Sequence, residues 1–266
     1  MKKIAFCFLT RREILPDKYW IDFFEGVDRN KYNIYIHSDV DYNIENNFFK
    51  EFEIKNKVNK ESSVTVNARL KLIENCLTDE KNKKLIFLSE DFIPLFDFNT
   101  IYDFLIKDDK SYFGYYENFE NSSRGLNFYY KNVDWHIISM QHAKLILNYN
   151  NIQRFIDGQV ASEHYISTIL YELDELKNVE NINLTHEDWG KYNVFNSGIP
   201  IFDNSTFDYF KYKVERLQKC FNLYNNKQLK VDVNERIFEF VNENVMHMSS
   251  AGLFLRKVLN NNLYKK

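Results

Sequence analysis

Short apolar runs that end abruptly in polar residues constrain the fold of this chain most. Ile4–Leu9 is apolar throughout, and Leu85–Leu88 is a second apolar run that gives way at once to Ser89, Glu90 and Asp91. A strand that is apolar without alternation is covered on both faces, as in the parallel sheet of an α/β protein. Ligands bind outside the carboxyl ends of such strands. Glu90 and Asp91 are therefore placed to meet a ligand, a metal ion or a basic loop, unless they only form a polar turn.

Strand and helix patterns alternate along the first 110 residues. Pro16 and Asp17 open a helix with apolar residues at helical spacing, and Tyr32–His37 follows as a second strand. An amphipathic segment at Val66–Leu77 precedes the Leu85 strand, and Asn99 or Thr100 caps a further helix. This order predicts a βαβαβα half with a parallel sheet.

The pattern changes after residue 110. Aromatic, β-prone runs occupy 112–116, 126–130 and 136–140, and helices are predicted over 141–149 and 163–173. A short strand then ends near Leu184, and the tail from Ser205 is predicted to be mostly helical. We find no repeat and no long linker, so we interpret the chain as a single domain.

The composition excludes several classes of function. The 35 basic and 38 acidic residues give a net charge of −3, whereas a nucleic-acid-binding surface needs a basic excess. No apolar run approaches the roughly 20 residues of a membrane span, and no secretory signal precedes the first strand. Three cysteines without short spacing indicate neither a disulfide framework nor a zinc site. We expect a soluble, cytoplasmic protein.

Seven blocks of sequence, taken in order, carry a resemblance to a known family. They resemble the core-2/I-branching β-1,6-N-acetylglucosaminyltransferases and their relatives, which include peptide O-xylosyltransferases. The resemblance runs from Lys3 to about Val258 and is interrupted over about Ser205–Ser249. The blocks are KIAFCFLTRREILP, IYIHSD, FLSEDFIPLFDF, DWHIISMQHA, SEHYISTIL, LTHEDW and LFLRKV.

The resemblance implies a GT-A-like nucleotide-sugar-binding α/β fold, with a mixed, mostly parallel central sheet flanked by helices. It implies one glycosyltransferase domain over 1–266, with a nucleotide-binding half at 1–110, an acceptor and catalytic half at 111–204, and a C-terminal segment at 205–266 that contacts the diphosphate. The implied reaction moves a sugar from a UDP-sugar to a hydroxyl of a glycan or glycoconjugate, with inversion at the anomeric carbon. The family works without a divalent metal, so no cofactor is expected.

Glu163 is the catalytic residue that the resemblance implies. A sugar hydroxyl is a poor nucleophile at neutral pH, so a carboxylate must take its proton. The family supplies that carboxylate from an Asp-Glu-His-Tyr run, which here reads Ser162-Glu163-His164-Tyr165. Ser162 replaces the family's Asp at a position that contacts the acceptor. The alternative is a glutamate that only caps its own helix.

Basic residues near the C-terminus correspond to the family's diphosphate contacts. Arg256 and Lys257 match its Arg-Lys pair, and Lys257 takes the position that contacts the diphosphate of the leaving UDP. Arg236 is a candidate for a second basic group, at roughly the family's distance before Lys257. The alternative is that these side chains only form a solvated surface.

Three further residues are assigned through the resemblance. Asp39 matches an acidic residue that reads the nucleoside, Glu90 matches an acidic position facing the donor, and Trp135 matches an aromatic residue at the acceptor site. Trp135 could instead be a core residue. Asp39 and Asp41 spell Asp-x-Asp, so a manganese site at this pair, or at Glu90 and Asp91, remains an alternative.

Four hypotheses about function stay open at this point. The first is an inverting, metal-independent transferase that uses UDP-N-acetylglucosamine. The second uses UDP-xylose or another UDP-sugar, and the third keeps the fold but takes a metal through the carboxylate pairs. The fourth is a non-catalytic sugar- or nucleotide-binding protein, which Ser162 and the divergent tail would allow.

Overall fold

A six-stranded sheet forms the centre of the protein. The computed structural model describes residues 1–15, 17–59, 65–117, 130–156 and 161–187, and within 215–256 it describes 215, 217–219, 221, 222, 224–226, 229–232, 237–240 and 250–256. In their spatial order, the strands of the central sheet are β2 Tyr32–His37, β1 Lys3–Leu9, β3 Asn82–Ser89, β8 Ile137–Ser139, β5 Ser111–Tyr112 and β9 Val179–Glu180.

Most neighbours in this sheet run parallel. β1 lies parallel to β2 and to β3, and β5 lies parallel to β9, whereas β8 runs antiparallel to both of its neighbours. The mixed, mostly parallel sheet that the sequence predicts is therefore confirmed. The parallel pairing also aligns the carboxyl ends of the first three strands, because Leu9 is in register with His37 on one side and with Ser89 on the other.

Helices cover both faces of the sheet, which explains why β1 is apolar without alternation. The helices are α1 Asp17–Phe24, α2 Thr65–Cys76, α3 Phe98–Ile106, α4 Met140–Leu147, α5 Gln153–Ile156 and α6 Tyr165–Glu172. On one face, the ring of Phe6 contacts Trp20 in α1 and Phe98 in α3. On the other face, the Sγ atom of Cys7 lies 3.2 Å from that of Cys76 at the end of α2.

Two helix starts differ from the sequence prediction by more than one residue. α3 is capped by Asp97, whose Oδ1 accepts a hydrogen bond of 3.0 Å from the backbone N–H of Thr100, so neither Asn99 nor Thr100 is the cap. The helix predicted from Glu163 begins two residues later, because Ala161–Glu163 forms a separate 3-10 turn and His164 is the N-cap of α6. Both differences arise because several polar residues stand close together at a helix start, and local preference does not choose among them.

The C-terminal part of the chain contains strands where the sequence predicts mostly helix. β11 Leu229–Asp232 and β12 Ile237–Phe240 form an antiparallel pair, and β13 Ser250–Arg256 is the central strand of a second sheet, between β10 Asn183–Glu187 and β4 Phe92–Pro94. The prediction is therefore wrong for these residues, although helical residues do occur between 215 and 225. Backbone pairing with β10 and β4 decides the conformation of β13, which overrides local preference. The helix prediction rests on an apolar stripe of Phe207, Phe210, Val214 and Leu217, of which the first three lie outside the described residues.

A small hairpin supplies the last strands, β6 Tyr115–Glu117 and β7 Tyr130–Asn132. Within the described part of the chain, no helix is both long and apolar enough to cross a membrane.

Candidate functional site

The carboxyl ends of β1, β2 and β3 bring two of the predicted donor-binding residues to one edge of the sheet. Asp39 lies two residues beyond the end of β2, and Glu90 follows the last residue of β3. The loop after β1 connects both neighbours, because Thr10 N donates to His37 O at 2.9 Å and Leu15 N donates to Glu90 O at 2.7 Å. The loops that carry Asp39 and Glu90 are thus fixed relative to each other through this β1 loop.

A buried lysine holds the loop that contains Asp39. The Nζ atom of Lys57 donates to the backbone oxygens of Asp39 at 3.1 Å and Tyr42 at 2.6 Å, and to the hydroxyl of Ser38 at 3.0 Å. It also forms an ion pair of 3.1 Å with Glu53, and both side chains are largely buried, with 13% and 15% exposure. An ammonium group has three protons to donate, and here four oxygens surround it, three of them in the loop of residues 38–42. The sequence analysis missed Lys57, since nothing in its neighbourhood resembles a motif.

Histidine and glutamate side chains complete the support of this edge. His37 is fully buried and accepts a hydrogen bond of 3.0 Å from the backbone N–H of Val58 at Nε2. Nδ1 lies 2.9 Å from Ser38 O and therefore carries the proton of a neutral imidazole. Glu13 accepts from the hydroxyl of Tyr42 at 2.9 Å and from Glu45 N at 2.7 Å, which joins the loops after β1 and β2.

The end of β13 reaches the same region from the second sheet. Arg256 is the last residue of β13 and stands in register with Phe92 of β4, two residues beyond Glu90 in the chain. The backbone of the predicted diphosphate segment therefore lies next to the Glu90 turn. Lys257 and Arg236 lie outside the described residues, so their predicted roles stay predictions.

Glu163 lies in the 3-10 turn before α6 and pairs with a lysine of the small hairpin. Its Oε2 is 2.8 Å from Nζ of Lys131 in β7, and the two side chains are 34% and 37% exposed. The hydrogen bond with Glu163 raises the pKa of Lys131, against an opposing effect of burial. The N-cap position belongs to His164, and its side chain makes no capping hydrogen bond. Glu163 is therefore a partly exposed carboxylate beside a cation rather than a residue that caps its own helix.

Ser162 and Trp135 both contact a buried ion pair that lies next to this turn. Nη1 of Arg69 in α2 lies 2.9 Å from Oδ1 of Asp134, and the side chains are 1% and 29% exposed. Burial opposes the ionisation of Asp134, but the charge of Arg69 and hydrogen bonds from Arg69 and Ser162 outweigh it and hold the pKa of Asp134 below its ordinary value. Ser162 thus bonds to a carboxylate of this chain. Its predicted contact with the acceptor stays a prediction.

Trp135 packs between this ion pair and the second sheet. The guanidinium of Arg69 lies 5.2 Å from the centre of the indole, and the ring of Phe92 lies 5.6 Å from it. The backbone oxygen of Trp135 accepts a hydrogen bond of 2.6 Å from the hydroxyl of Thr185 in β10. With 6% exposure, Trp135 joins the edge that carries Asp39 and Glu90 to the Glu163 turn mainly through packing, and its predicted contact with the acceptor stays a prediction.

Two pairs of carboxylates were considered above for manganese, namely Asp39 with Asp41 and Glu90 with Asp91. The hydroxyl of Ser89 donates to Oδ1 of Asp91, and the backbone oxygen of Asp39 accepts from Tyr42 N at 3.0 Å. Within the described residues, no group of three or more His, Cys, Asp and Glu side chains is arranged to hold a metal ion. The manganese alternative stays untested.

Comparison with known proteins identifies the sequences that this chain is similar to. The profile of a family described as Core-2/I-Branching enzyme matches residues 4–204. That range contains Asp39, Glu90, Trp135, Ser162 and Glu163, and it ends before the three basic candidates. Glycosyltransferase BC10 of Oryza sativa subsp. japonica is 20% identical over an alignment of 232 residues, and the match covers 70% of this chain and 57% of that protein. The chain therefore spans a little over half the length of this relative.

Proposed function

The chain belongs to the core-2/I-branching enzyme family, a family of glycosyltransferases, and from that membership we propose that it transfers a sugar from a UDP-sugar to a hydroxyl of a glycan or glycoconjugate. The transfer inverts the anomeric carbon and needs no divalent metal. N-acetylglucosamine is the first donor sugar to test, and xylose is the alternative.

The placement of Glu163 is the observation that carries this proposal. Its carboxylate is partly exposed, lies in a turn that is fixed to β7, and is not used to cap α6. A general base has to reach a hydroxyl in solution or in a bound acceptor, so it must keep an exposed oxygen. A glutamate that served only the helix would have its oxygens on backbone N–H groups.

The reaction is a single displacement at C1 of the donor sugar. The acceptor oxygen forms its bond to C1 while the bond from C1 to the UDP oxygen breaks. The hydroxyl proton passes to Glu163, and the bonding electrons leave with UDP. Attack from the face opposite the leaving group inverts C1, and one carboxylate is sufficient because no covalent sugar–enzyme intermediate forms.

The donor occupies the edge formed by the ends of β1, β2, β3 and β13. Asp39 accepts hydrogen bonds from the uridine, and Glu90 faces the sugar or ribose. Arg256 and Lys257 stabilise the charge that grows on UDP as the bond breaks, and Arg236 is the second basic candidate. Trp135 and Ser162 belong to the acceptor side, close to Glu163.

Glu163→Gln is the variant that tests the proposal. Glutamine keeps the shape of the side chain but takes no proton, so transfer from the preferred UDP-sugar falls by about 10²–10⁴-fold while UDP binding and thermal stability are retained. Glu74→Gln is a matched control, because Glu74 is 37% exposed and lies 2.8 Å from Lys71. Turnover of Glu163→Gln within a few-fold of the wild type excludes Glu163 as the base.

Two further measurements test the neutralisation of the diphosphate. If basic side chains supply it, UDP binding and turnover survive EDTA. A loss of more than about tenfold that manganese restores would overturn the metal-free proposal in favour of the carboxylate pairs. Lys257→Ala weakens UDP binding by about 10- to 150-fold, which corresponds to one charge-assisted contact. Lys18→Ala, at an exposed lysine of α1, is its control.

The donor sugar and the non-catalytic alternative are tested in one screen. Thermal stabilisation and UDP release are measured with UDP-N-acetylglucosamine, UDP-xylose and other UDP-sugars. Release of UDP from one of them identifies the donor. Stabilisation without any turnover, in the presence of a broad acceptor panel, would favour a binding protein instead.

A further inference from the structure

The ion pair between Lys131 and Glu163 is built into the backbone around it. Lys131 is the central residue of β7, and its two chain neighbours both bind the segment that carries Glu163. The backbone oxygen of Tyr130 lies 2.9 Å from Nδ1 of His164. Nδ2 of Asn132 donates to Ser162 O at 3.4 Å. The residues on each side of Lys131 are therefore fastened to the residues on each side of Glu163.

A third contact fixes the start of α6 to the same strand. Oδ1 of Asn132 accepts hydrogen bonds from the hydroxyl of Ser167 at 2.9 Å and from its backbone N–H at 3.3 Å, and both side chains are buried. Exposed ion pairs are usually weak, partly because two long side chains must be ordered at the same time. Here the backbones of β7 and of the Glu163 turn are already held opposite each other by other hydrogen bonds. Less conformational entropy is therefore lost when the Lys131–Glu163 pair forms.

We propose that Lys131 is a positioning residue for the base: it binds Oε2 of Glu163 and fixes the carboxylate so that Oε1 is presented to the acceptor hydroxyl. This inference rests on the proposed role of Glu163. A carboxylate carries lone pairs on both oxygens, so one can hold the lysine while the other takes the proton. Without Lys131 the glutamate side chain has three rotatable bonds and, among the residues that the structure describes, no other ion-pair partner, so its productive orientation becomes one of several.

Other charged and ionisable groups surround the pair and have to be considered with it. Tyr116 of β6 is in register with Lys131 and adds to the rise of the lysine's pKa. His164 is mostly buried, which lowers its pKa despite its bond to Tyr130. Arg69 of α2 is committed to Asp134. Arg154 of α5 forms an ion pair of 2.6 Å with Glu172. Of the three basic side chains named here, Lys131 is the one that forms its ion pair with Glu163 in the part of the chain that the structure describes.

The kinetic test compares Lys131→Met with Lys131→Arg. With the UDP-sugar that the wild type turns over, either UDP-N-acetylglucosamine or UDP-xylose, Lys131→Met lowers kcat by at least about fivefold and up to about 100-fold, as misplacement of a reacting group does. The KM for the donor stays within about twofold, and Lys131→Arg recovers most of kcat, because a guanidinium also binds a carboxylate. Lys71→Met is the matched control, since it breaks the Lys71–Glu74 pair, in which the side chains are 32% and 37% exposed. A kcat for Lys131→Met within twofold of the wild type overturns the inference.

A second readout needs no activity. The lysines are labelled by reductive methylation with 13C and titrated by NMR, and the Lys131 signal is assigned by its loss in Lys131→Arg. In Glu163→Gln the pKa of Lys131 falls towards its ordinary value, because the hydrogen bond that Lys131 donates to Glu163 is the main cause of the rise. An unchanged titration shows that the pair does not form in solution and overturns the inference. If instead the pair forms but Glu163→Gln retains full turnover, the proposed function has failed separately.

Discussion

The buried ion pair behind the Glu163 turn gives the sharpest prediction about stability. Arg69 is 1% exposed and its side chain lies 2.9 Å from Asp134. Removal of one partner from a buried pair destabilises a protein by about 3–5 kcal/mol, because the other charge is left uncompensated. Asp134 itself is 29% exposed, so water can enter when its charge is removed. We therefore expect Asp134→Asn to lower the free energy of unfolding by about 2–4 kcal/mol.

The opposite substitution is expected to cost less. Arg69→Met leaves the charge on Asp134, which is partly exposed and can be hydrated. Its cost comes mainly from the lost contact with Trp135, for which cation–π interactions suggest about 0.5–2 kcal/mol. The double variant Arg69→Met/Asp134→Asn buries no charge, so its cost falls below the sum of the single costs by about 1 kcal/mol or more.

Urea unfolding of the four proteins measures these differences. The pH dependence supplies an independent check. The pKa of Asp134 is lower in the folded protein than in the unfolded chain, so its contribution is fully present above about pH 4 and is lost as the pH falls through the folded value. The destabilisation by Asp134→Asn should therefore shrink near pH 3. A cost below about 1 kcal/mol at neutral pH, or strict additivity in the double variant, would refute the reasoning.

Three further predictions concern other parts of the molecule. Lys57→Met releases the loop of Asp39 and is expected to weaken UDP binding by about tenfold, since one charge-assisted hydrogen bond is worth roughly 1.5 kcal/mol or more. Calorimetry measures the affinity, and Lys55→Met, at an exposed lysine, is the control. Equal affinity in the two variants contradicts the prediction. Burial lowers the pKa of Lys84 to about 8. Between about pH 8 and 10 the unfolded chain therefore binds more protons than the folded protein, so the free energy of unfolding rises with pH across that window. Urea unfolding at several pH values measures this rise, and Lys84→Met should remove the contribution that Lys84 makes to it. In a Cys220→Ser background, a thiol reagent should label Cys7 and Cys76 far more slowly in the native protein than in the unfolded protein. Both side chains are fully buried, and burial raises the pKa of Cys76. Rapid labelling of the native protein would show that these thiols are accessible.

Much of the fold of residues 1–110 could be predicted from local pattern. The apolar run Ile4–Leu9 predicts β1, and β2 has the predicted bounds Tyr32–His37. The amphipathic segment Val66–Leu77 predicts α2 to within one residue at either end. These predictions succeed because hydrophobic period and turn chemistry depend on residues only a few positions apart.

The candidate site was predictable only in part. The resemblance points to Glu163, and the end of β3 points to Glu90. Neither indicates that Lys131, 32 positions before Glu163 in the chain, lies 2.8 Å from its carboxylate. Lys57 and Arg69 were missed as well, since a lone basic residue whose side chain is buried is indistinguishable in sequence from one that is solvated.

Tertiary structure alone decided how distant segments meet. Arg256 stands in register with Phe92, and residues of a tail predicted to be mostly helical form the central strand of the second sheet. The fold also places Cys76 beside Cys7, 69 positions apart. A local pattern fixes which face of an element is apolar, but many packings bury the same faces. The choice among them depends on backbone pairing and side-chain fit over the whole domain, which no short window of sequence contains.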